Sequence, residues 1–278
     1  MKTLLSIGHG FSARALTPLL NGFRVIGTTR SEDRAEALRG DGIEAVVWPG
    51  TDLTPLILGA THILTSVAPQ EGDPVLEACG EVLARAPADW VGYLSTTGVY
   101  GDRGGDWVDE SSPLTPATRR GQARVAAEAT WAELGLPLHI FRLAGIYGPG
   151  RGPFAKVRAG TARRIIKEGQ VFSRIHVEDI AQVVAASIAR PNPGAIYNVC
   201  DDDPAPPQEV IAHAAHLLGL PVPEAVAFEE AEMTPMARSF YAESKKVRND
   251  RIKDELGVVL KFPDYRSGLA DLLAREGG

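Results

Sequence analysis

The first 148 residues alternate between two hydrophobic rhythms. Short apolar runs of strand type appear as TLLSI (3–7), FRVIGTT (23–29), EAVVW (44–48), HILTSV (62–67), WVGYLST (90–96) and PLHIFRLA (137–144). Between them, apolar residues recur every three or four positions, which predicts amphipathic helices. The segment 11–22 puts Leu16, Leu19 and Leu20 on one face, although Pro18 removes a helix hydrogen bond and favours a kink. The segment 31–42 opens on Ser31 as N-cap, carries Glu32 and Asp33 in its first turn and closes on glycine. Further helices are predicted at 74–86 and at 117–135, the latter stopped by Gly135. Strands alternating with helices imply βαβ units, a parallel sheet and right-handed crossovers.

Beyond residue 148 the rhythm changes. GPGRGPFAKVRAG reads as loop and then helix, and 163–177 as a small hairpin around Lys167–Gln170. A helix over 178–190 precedes AIYNVC (195–200), a strand able to rejoin the sheet, and the last helix falls near 264–275. The expected fold is α/β, a Rossmann-type doubly wound parallel sheet with a small C-terminal substrate lobe. The boundary lies at 148/149, with segments near 174–200 returning to the sheet domain. The lobe then covers the strands' carboxyl ends, where such sheets bind ligands.

Composition narrows the function. Lys and Arg total 29 against 35 Asp and Glu, a net charge of −6, which argues against a nucleic-acid partner. No apolar stretch is long enough for a membrane span, and the apolar start of MKTLLSIGHG runs into glycines as a first strand would. The two cysteines, Cys79 and Cys200, have no metal-ligand spacing, and the spacing of His213 and His216 does not argue for a metal. A cytoplasmic protein with reduced thiols, no bound metal and a small-molecule substrate is expected.

SIGHGFSA sets Gly8, Gly10 and Ala13 in a G-x-G-x-x-A turn between the first strand and the first helix. Such a turn lets backbone approach a pyrophosphate while the third small residue allows close helix–strand packing. The candidate cofactor contacts are Gly8, His9, Gly10, Phe11, Ser12 and Ala13, with His9 expected to be exposed near the phosphates. The second strand ends Thr28-Thr29-Arg30-Ser31 with no carboxylate at its tip. An arginine there suits a ribose 2′-phosphate, so NADP is favoured over NAD.

Several ordered motifs carry a family resemblance: GHGFSA (8–13), STTGVYG (95–101), DESSPLTP (109–116), FRLAGIYGPG (141–150), RIHVEDIA (174–181) and AIYNVCDDDP (195–204). Together they resemble the extended short-chain dehydrogenases/reductases, the NAD-dependent epimerase/dehydratase family. The ending from Ser244 resembles the YeeZ-like subgroup. The resemblance implies an NAD(P)-dependent oxidoreductase or epimerase, with dimerisation through two sheet-flanking helices as a family-level expectation. It adds Thr29, Ser31, Val67, Ala68, Pro69, Thr96, Ile146 and Tyr147 to the cofactor contacts, and implies that Arg142 and the Gly145–Gly148 turn shape the nicotinamide end.

In the family a Ser or Thr polarises the substrate oxygen, a Tyr transfers the proton and a Lys four residues later lowers that Tyr's pKa. Thr96, four before Tyr100, matches the first position. Aligning GQARVAAE puts Arg120 at the Tyr position, Arg124 at the Lys position and Glu128 at the acidic residue that follows. Arginine stays protonated, so Arg120 does no general acid–base work at neutral pH, though it can donate to an oxyanion. Thr96, Arg120, Arg124 and His176 are the candidate catalytic residues, with His176 read also as a loop or helix-start partner. Among the six tyrosines, Tyr241 alone has a lysine four residues on, Lys245, but it lies far downstream of the expected helix and reads as an accidental match. Two functions are open: an atypical NADP-dependent enzyme on a small polar, anionic or sugar-like carbonyl compound, and a non-catalytic NADP-binding redox sensor or regulator.

Overall fold

The computed structural model describes residues 1–276. In chain order the first half holds β1 (Lys2–Ile7), α1 (Phe11–Leu16), β2 (Phe23–Thr29), α2 (Glu32–Gly40), β3 (Glu44–Val47), α3 (Thr54–Gly59), β4 (His62–Thr65), α4 (Pro74–Leu83), β5 (Trp90–Thr96), β6 (Trp107–Val108), α5 (Arg119–Glu133) and β7 (Leu138–Leu143). The second half holds β8 (Gly145–Tyr147), α6 (Phe154–Arg158), β9 (Arg164–Ile166), β10 (Arg174–His176), α7 (Val177–Ala189), β11 (Ile196–Val199), α8 (Pro207–Leu217), β12 (Ala225–Ala227), α9 (Pro235–Phe240), β13 (Lys246–Val247), α10 (Asp250–Asp254) and α11 (Tyr265–Glu276). Seven strands form one sheet in the order β11-β7-β5-β4-β1-β2-β3, every neighbour parallel. The order reverses between β1 and β4, which opens a crevice at the carboxyl ends of those strands.

Both sheet faces are covered, so β1, β4, β5 and β7 are almost wholly buried and read as apolar runs rather than alternating ones. One face packs Leu4, Leu94 and Phe141 against α1 and α7. The other packs Leu5, Ile63 and Tyr93 against Ile57 of α3, Val75 of α4 and Trp131 of α5. A third cluster, built on Phe154, Ala214 and Leu269, forms the lobe. Val247, Ile252, Leu256 and Val258 pack with the sheet core, so the chain crosses back from the lobe a second time.

Local chemistry explains two departures from the sequence pattern. The helix predicted at 11–22 stops at Leu16, and Thr17–Leu19 tightens into a 3-10 turn at Pro18. Ser31 takes the N-cap of α2 with extended backbone, yet its hydroxyl makes no capping bond. A third expectation is overturned. The hairpin at 163–177 does not form. Its halves pair elsewhere, β9 parallel to β12 and β10 parallel to β8, because each finds a partner strand across the lobe.

The sheet and α5 are tied by a buried polar chain. Glu128, one face-turn beyond Arg124 on α5, pairs with Arg142 of β7 at 2.8 Å, and Ser95 of β5 donates to Glu128 at 2.5 Å. Arg142 also donates to the Tyr100 hydroxyl at 3.0 Å, which in turn donates to Asn198 of β11 at 2.7 Å. Arg142 is 2% exposed. It therefore lies behind the cleft rather than shaping the nicotinamide end, a correction that burial and full hydrogen bonding explain. Burial pushes the Tyr100 hydroxyl up to about 12. Replacing Arg142 with Met strands Glu128 as an unpaired buried carboxylate, and about 3–5 kcal/mol of stability should be lost in chemical denaturation.

Asp201, just past β11, is 1% exposed, and its two carboxylate oxygens have no hydrogen-bond partner among the described residues. Burial pushes its carboxyl up to about 8. A raised carboxyl pKa makes the fold favour the protonated form, so this group's contribution to stability is full below the ordinary carboxylate range and is lost as pH rises towards 8. Asp201→Asn should flatten that decline and raise stability at pH 8 by on the order of 2–4 kcal/mol. Denaturation curves at several pH values between 4 and 9 check this, and an unchanged slope would reject it.

Candidate active site at the sheet's carboxyl edge

The crevice at the switch point continues under the lobe as a single cleft of about 2490 Å³. That is ample for a dinucleotide and a second small molecule. Basic side chains lining it outnumber acidic ones three to one, the reverse of the whole chain's balance.

The glycine turn forms one wall. Gly8 has φ +82°, and a Cβ there would sit 2.9 Å from Val67 Cγ2, so both conformation and space require glycine. Thr28 fixes the turn: its hydroxyl accepts from Gly8 N–H and its carbonyl from His9 N–H, both at 2.8 Å. Ser66 donates to the Gly8 carbonyl. A Cβ on Gly10 would meet nothing nearer than 3.8 Å, leaving the backbone open to the cleft. Ala13 is buried beneath, where it packs α1 on the sheet. Phe11, Ser12, Thr29, Arg30, Val67, Ala68, Pro69, Thr96, Ile146 and Tyr147 all line the cleft, while Ser31 lies just outside it.

His9 corrects the sequence reading. Its side chain is 5% exposed and lies over Gly27, where a Cβ would be 2.8 Å from the imidazole's Cγ. Nε2 faces the Thr17 hydroxyl at 3.4 Å, and burial pushes the ring down to about 4. A neutral, tucked imidazole helps hold β2 to the turn but offers no charge to phosphates.

At the tip of β2, Arg30 and Arg34 line the cleft, both exposed and with no ion pair among the described residues. The acids nearby are turned away: Glu32 pairs with Arg39 at 2.5 Å. Arg34 was not singled out from the sequence, although its position four residues beyond Arg30 is the available signal.

The candidate catalytic residues separate. Thr96 ends β5, and its hydroxyl oxygen accepts from Gly98 N–H at 3.1 Å, leaving its proton free for the cleft. Arg120 and Arg124, one turn apart on α5, both reach the cleft. Arg124 donates to the Leu94 carbonyl at 2.8 Å and to the Tyr93 hydroxyl at 3.0 Å. Arg120 donates to Ser239 Oγ at 3.1 Å and lies over the Phe240 ring at 5.0 Å. His176 is not in the cleft. It is fully buried, its Nδ1 caps α7 by accepting from Glu178 N–H at 3.2 Å, and its ring packs on Phe262 at 4.1 Å. Burial pushes it down to about 4, so its role is structural.

Tyr241 and Lys245, set aside on sequence grounds, both line the cleft. Lys245 donates to the Gly101 carbonyl at 2.8 Å and pairs with Glu243 at 2.7 Å. These bonds, with the Arg120–Ser239 bond, lay residues 239–245 across the mouth beside Arg120. Tyr147 also lines the cleft, but its hydroxyl donates to the Asp264 carbonyl at 3.4 Å. The Tyr241 hydroxyl has no hydrogen-bond partner among the described residues. No local signal marks Tyr241, because only the lobe's docking brings it over the sheet.

No protein-family model matches the chain. Protein YeeZ of Escherichia coli is 29% identical over 95% of this chain and 97% of its own. A 3-diazoavenalumate denitrifying reductase of a Streptomyces species is 30% identical over 59% of this chain and 55% of its own. Among solved structures, a conserved protein of unknown function from Silicibacter pomeroyi is 60% identical, with both chains covered in full and a TM-score of 0.94. A Methylobacillus flagellatus protein assigned to the NAD-dependent epimerases/dehydratases is 26% identical over 100% and 99% of the two chains, with a TM-score of 0.75. The human epimerase family protein SDR39U1 with NADPH, 18% identical over 98% and 99%, shares the fold at a TM-score of 0.76. With the parallel sheet and the glycine turn at its switch point, the chain shares the fold of these proteins and is similar to members of the NAD-dependent epimerases/dehydratases.

Proposed function

We propose that the protein is an NADP-dependent reductase or epimerase-like enzyme acting on a small anionic carbonyl compound. The carrying observation is the pair of unneutralised guanidiniums, Arg30 and Arg34, at the tip of β2, where an NAD site would place a carboxylate. Two free forks there match a 2′-phosphate dianion. Gly8, Gly10 and the first turn of α1 would receive the pyrophosphate, with Val67, Ala68 and Pro69 lining the cleft beside it. The cofactor supplies hydride exchange when bound. Thr96 donates to the substrate oxygen, and Arg120 adds charge stabilisation as that oxygen becomes anionic.

With arginine at position 120, the proton comes from elsewhere. Tyr241 is the cleft tyrosine whose hydroxyl is free, and it lies two residues from Ser239, the partner of Arg120. The Streptomyces relative is a reductase by name, which supports hydride transfer. The second reading, a non-catalytic nucleotide sensor, is favoured by one observation: Arg120 and Arg124 are both committed to protein partners.

Calorimetric titration of nucleotide-stripped protein with NADP⁺, NADPH, NAD⁺ and NADH separates these readings. NADP(H) should bind at least tenfold tighter than NAD(H), and Arg30→Ala with Arg34→Ala should erase the difference without weakening NAD(H). No binding by any nucleotide rejects the cofactor reading. Similar affinities for the two redox forms support the enzyme, whereas a large preference for one supports the sensor.

In NADPH-dependent carbonyl turnover, Tyr241→Phe should lower kcat by about 10²–10⁴-fold while NADP⁺ affinity stays unchanged. Thr96→Val should act in the same direction, and an unchanged rate would remove either residue from the chemistry.

A further inference from the structure

The lobe wall of the cleft says which anion the site takes, an inference that rests on the enzyme reading above. Arg120 and Arg174 both line this wall. Arg120 bonds Ser239, and Arg174 donates through Nη1 to the Phe172 and Ala205 carbonyls at 2.8 and 3.0 Å. Neither has a carboxylate ion-pair partner among the described residues. Lys245 differs, since Glu243 neutralises it. Arg174 has the buried Asp201 as its leading opposite charge, whereas Arg120 is exposed at the cleft with no carboxylate beside it, so a ligand carboxylate reaching this wall would supply the charge partner that Arg120 lacks.

The rest of the wall is aromatic. Arg120 lies over Phe240 at 5.0 Å and Arg174 over Phe172 at 6.0 Å. Tyr241 meets Phe172 edge-on at 5.6 Å and packs on Phe228 at 5.4 Å. Phe240 is 55% exposed, a large apolar surface left beside the cleft mouth.

Groups able to bind several sugar hydroxyls are scarce here. Ser173 Oγ already accepts from Val247 N–H, Ser239 Oγ donates to the Met236 carbonyl, and Gln182 donates to Asp179. Glu243 offers one free oxygen, too little for a pyranose.

We infer that the substrate subsite takes a planar aromatic carboxylate rather than a sugar nucleotide, with the carboxylate between Arg120 and Arg174 and the ring against Phe172, Phe240 and Tyr241. A flat conjugated acid satisfies both features at once: its carboxylate meets the guanidinium forks, and its faces and edges meet the rings. The carbonyl to be reduced extends from that ring towards Thr96.

The test is calorimetric titration of the full-length protein, nucleotide-free and NADP⁺-saturated, with 2-naphthoate, 2-naphthylmethanol and UDP-glucuronic acid as probes. One 2-naphthoate should bind per chain, at least tenfold tighter than the neutral alcohol and tighter than the sugar nucleotide. Arg174→Met and Arg120→Met should each weaken it at least tenfold, and Phe240→Ala should weaken it severalfold. Arg120 and Phe240 lie at the surface, so those variants keep the test sound if Arg174→Met misfolds. No saturable 2-naphthoate binding, binding unchanged in the Arg120 and Phe240 variants, or tighter UDP-glucuronic acid binding overturns the proposal. Failure of NADP⁺ to bind is read separately and counts against the cofactor assignment, while the nucleotide-free titration still decides the aromatic-acid subsite.

Discussion

The Glu128–Arg142 ion pair is the constraint on which the site depends. It joins α5 to the carboxyl end of β7, and its hydrogen bonds extend to Ser95 on β5 and, through Tyr100, to Asn198 on β11. Those elements carry the cleft's candidate residues: Thr96 follows Ser95, and Arg120 and Arg124 stand on the same helix as Glu128. A buried pair of this kind gives little net stability over apolar packing, because desolvation offsets much of the attraction. What it gives is register, since each charge is tolerable only with its partner in place. The helix is thereby held at one height along the strands, with both arginines at the carboxyl edge.

The same helix carries the residues at which the sequence departs from the family pattern it resembles, Arg120 and Arg124. The backbone cradle for the residue at 120 is intact: Gly121 follows it, packed so closely that a Cβ would fall 2.6 Å from Pro116 and 2.9 Å from the Gly98 carbonyl. Arg124 keeps contact with β5, as a cation at that position should. At the positions matching the family's Tyr and Lys, both residues are arginines, permanent cations. The cleft has become more positive in a chain that is acidic overall, which steers anions towards it. The lobe lays an aromatic segment, residues 239–245, across the same place.

Buried titratable groups outside the cleft serve architecture. His9 and His176 are both held neutral by burial, one under the glycine turn and one at the start of α7. Both lie within motifs that carry the family resemblance, which is why local reading gives them a chemical role. In each case the neighbouring element fills the space a ligand would need: β2 and the Thr17 hydroxyl at His9, and the Phe262 and Tyr147 rings at His176.

The sequence by itself determined the parallel α/β sheet, the glycine turn and the arginine at the tip of β2. These depend on local periodicity, on backbone conformations open to glycine, and on residues a fixed few positions apart. Thr96 and the two arginines on α5 were legible for the same reason. Tertiary structure alone decided the pairing of β9 with β12 and β10 with β8, since a three-residue strand has no preference until a partner edge is presented. It also decided that Arg142 faces Glu128 instead of the cleft, that His9 and His176 are covered, and that Tyr241, Phe240 and Arg174 meet over the sheet. Those outcomes depend on which surfaces come to exclude water together, and that is set by contacts between residues far apart in the chain, as in the bond from Lys245 to Gly101 across 144 positions.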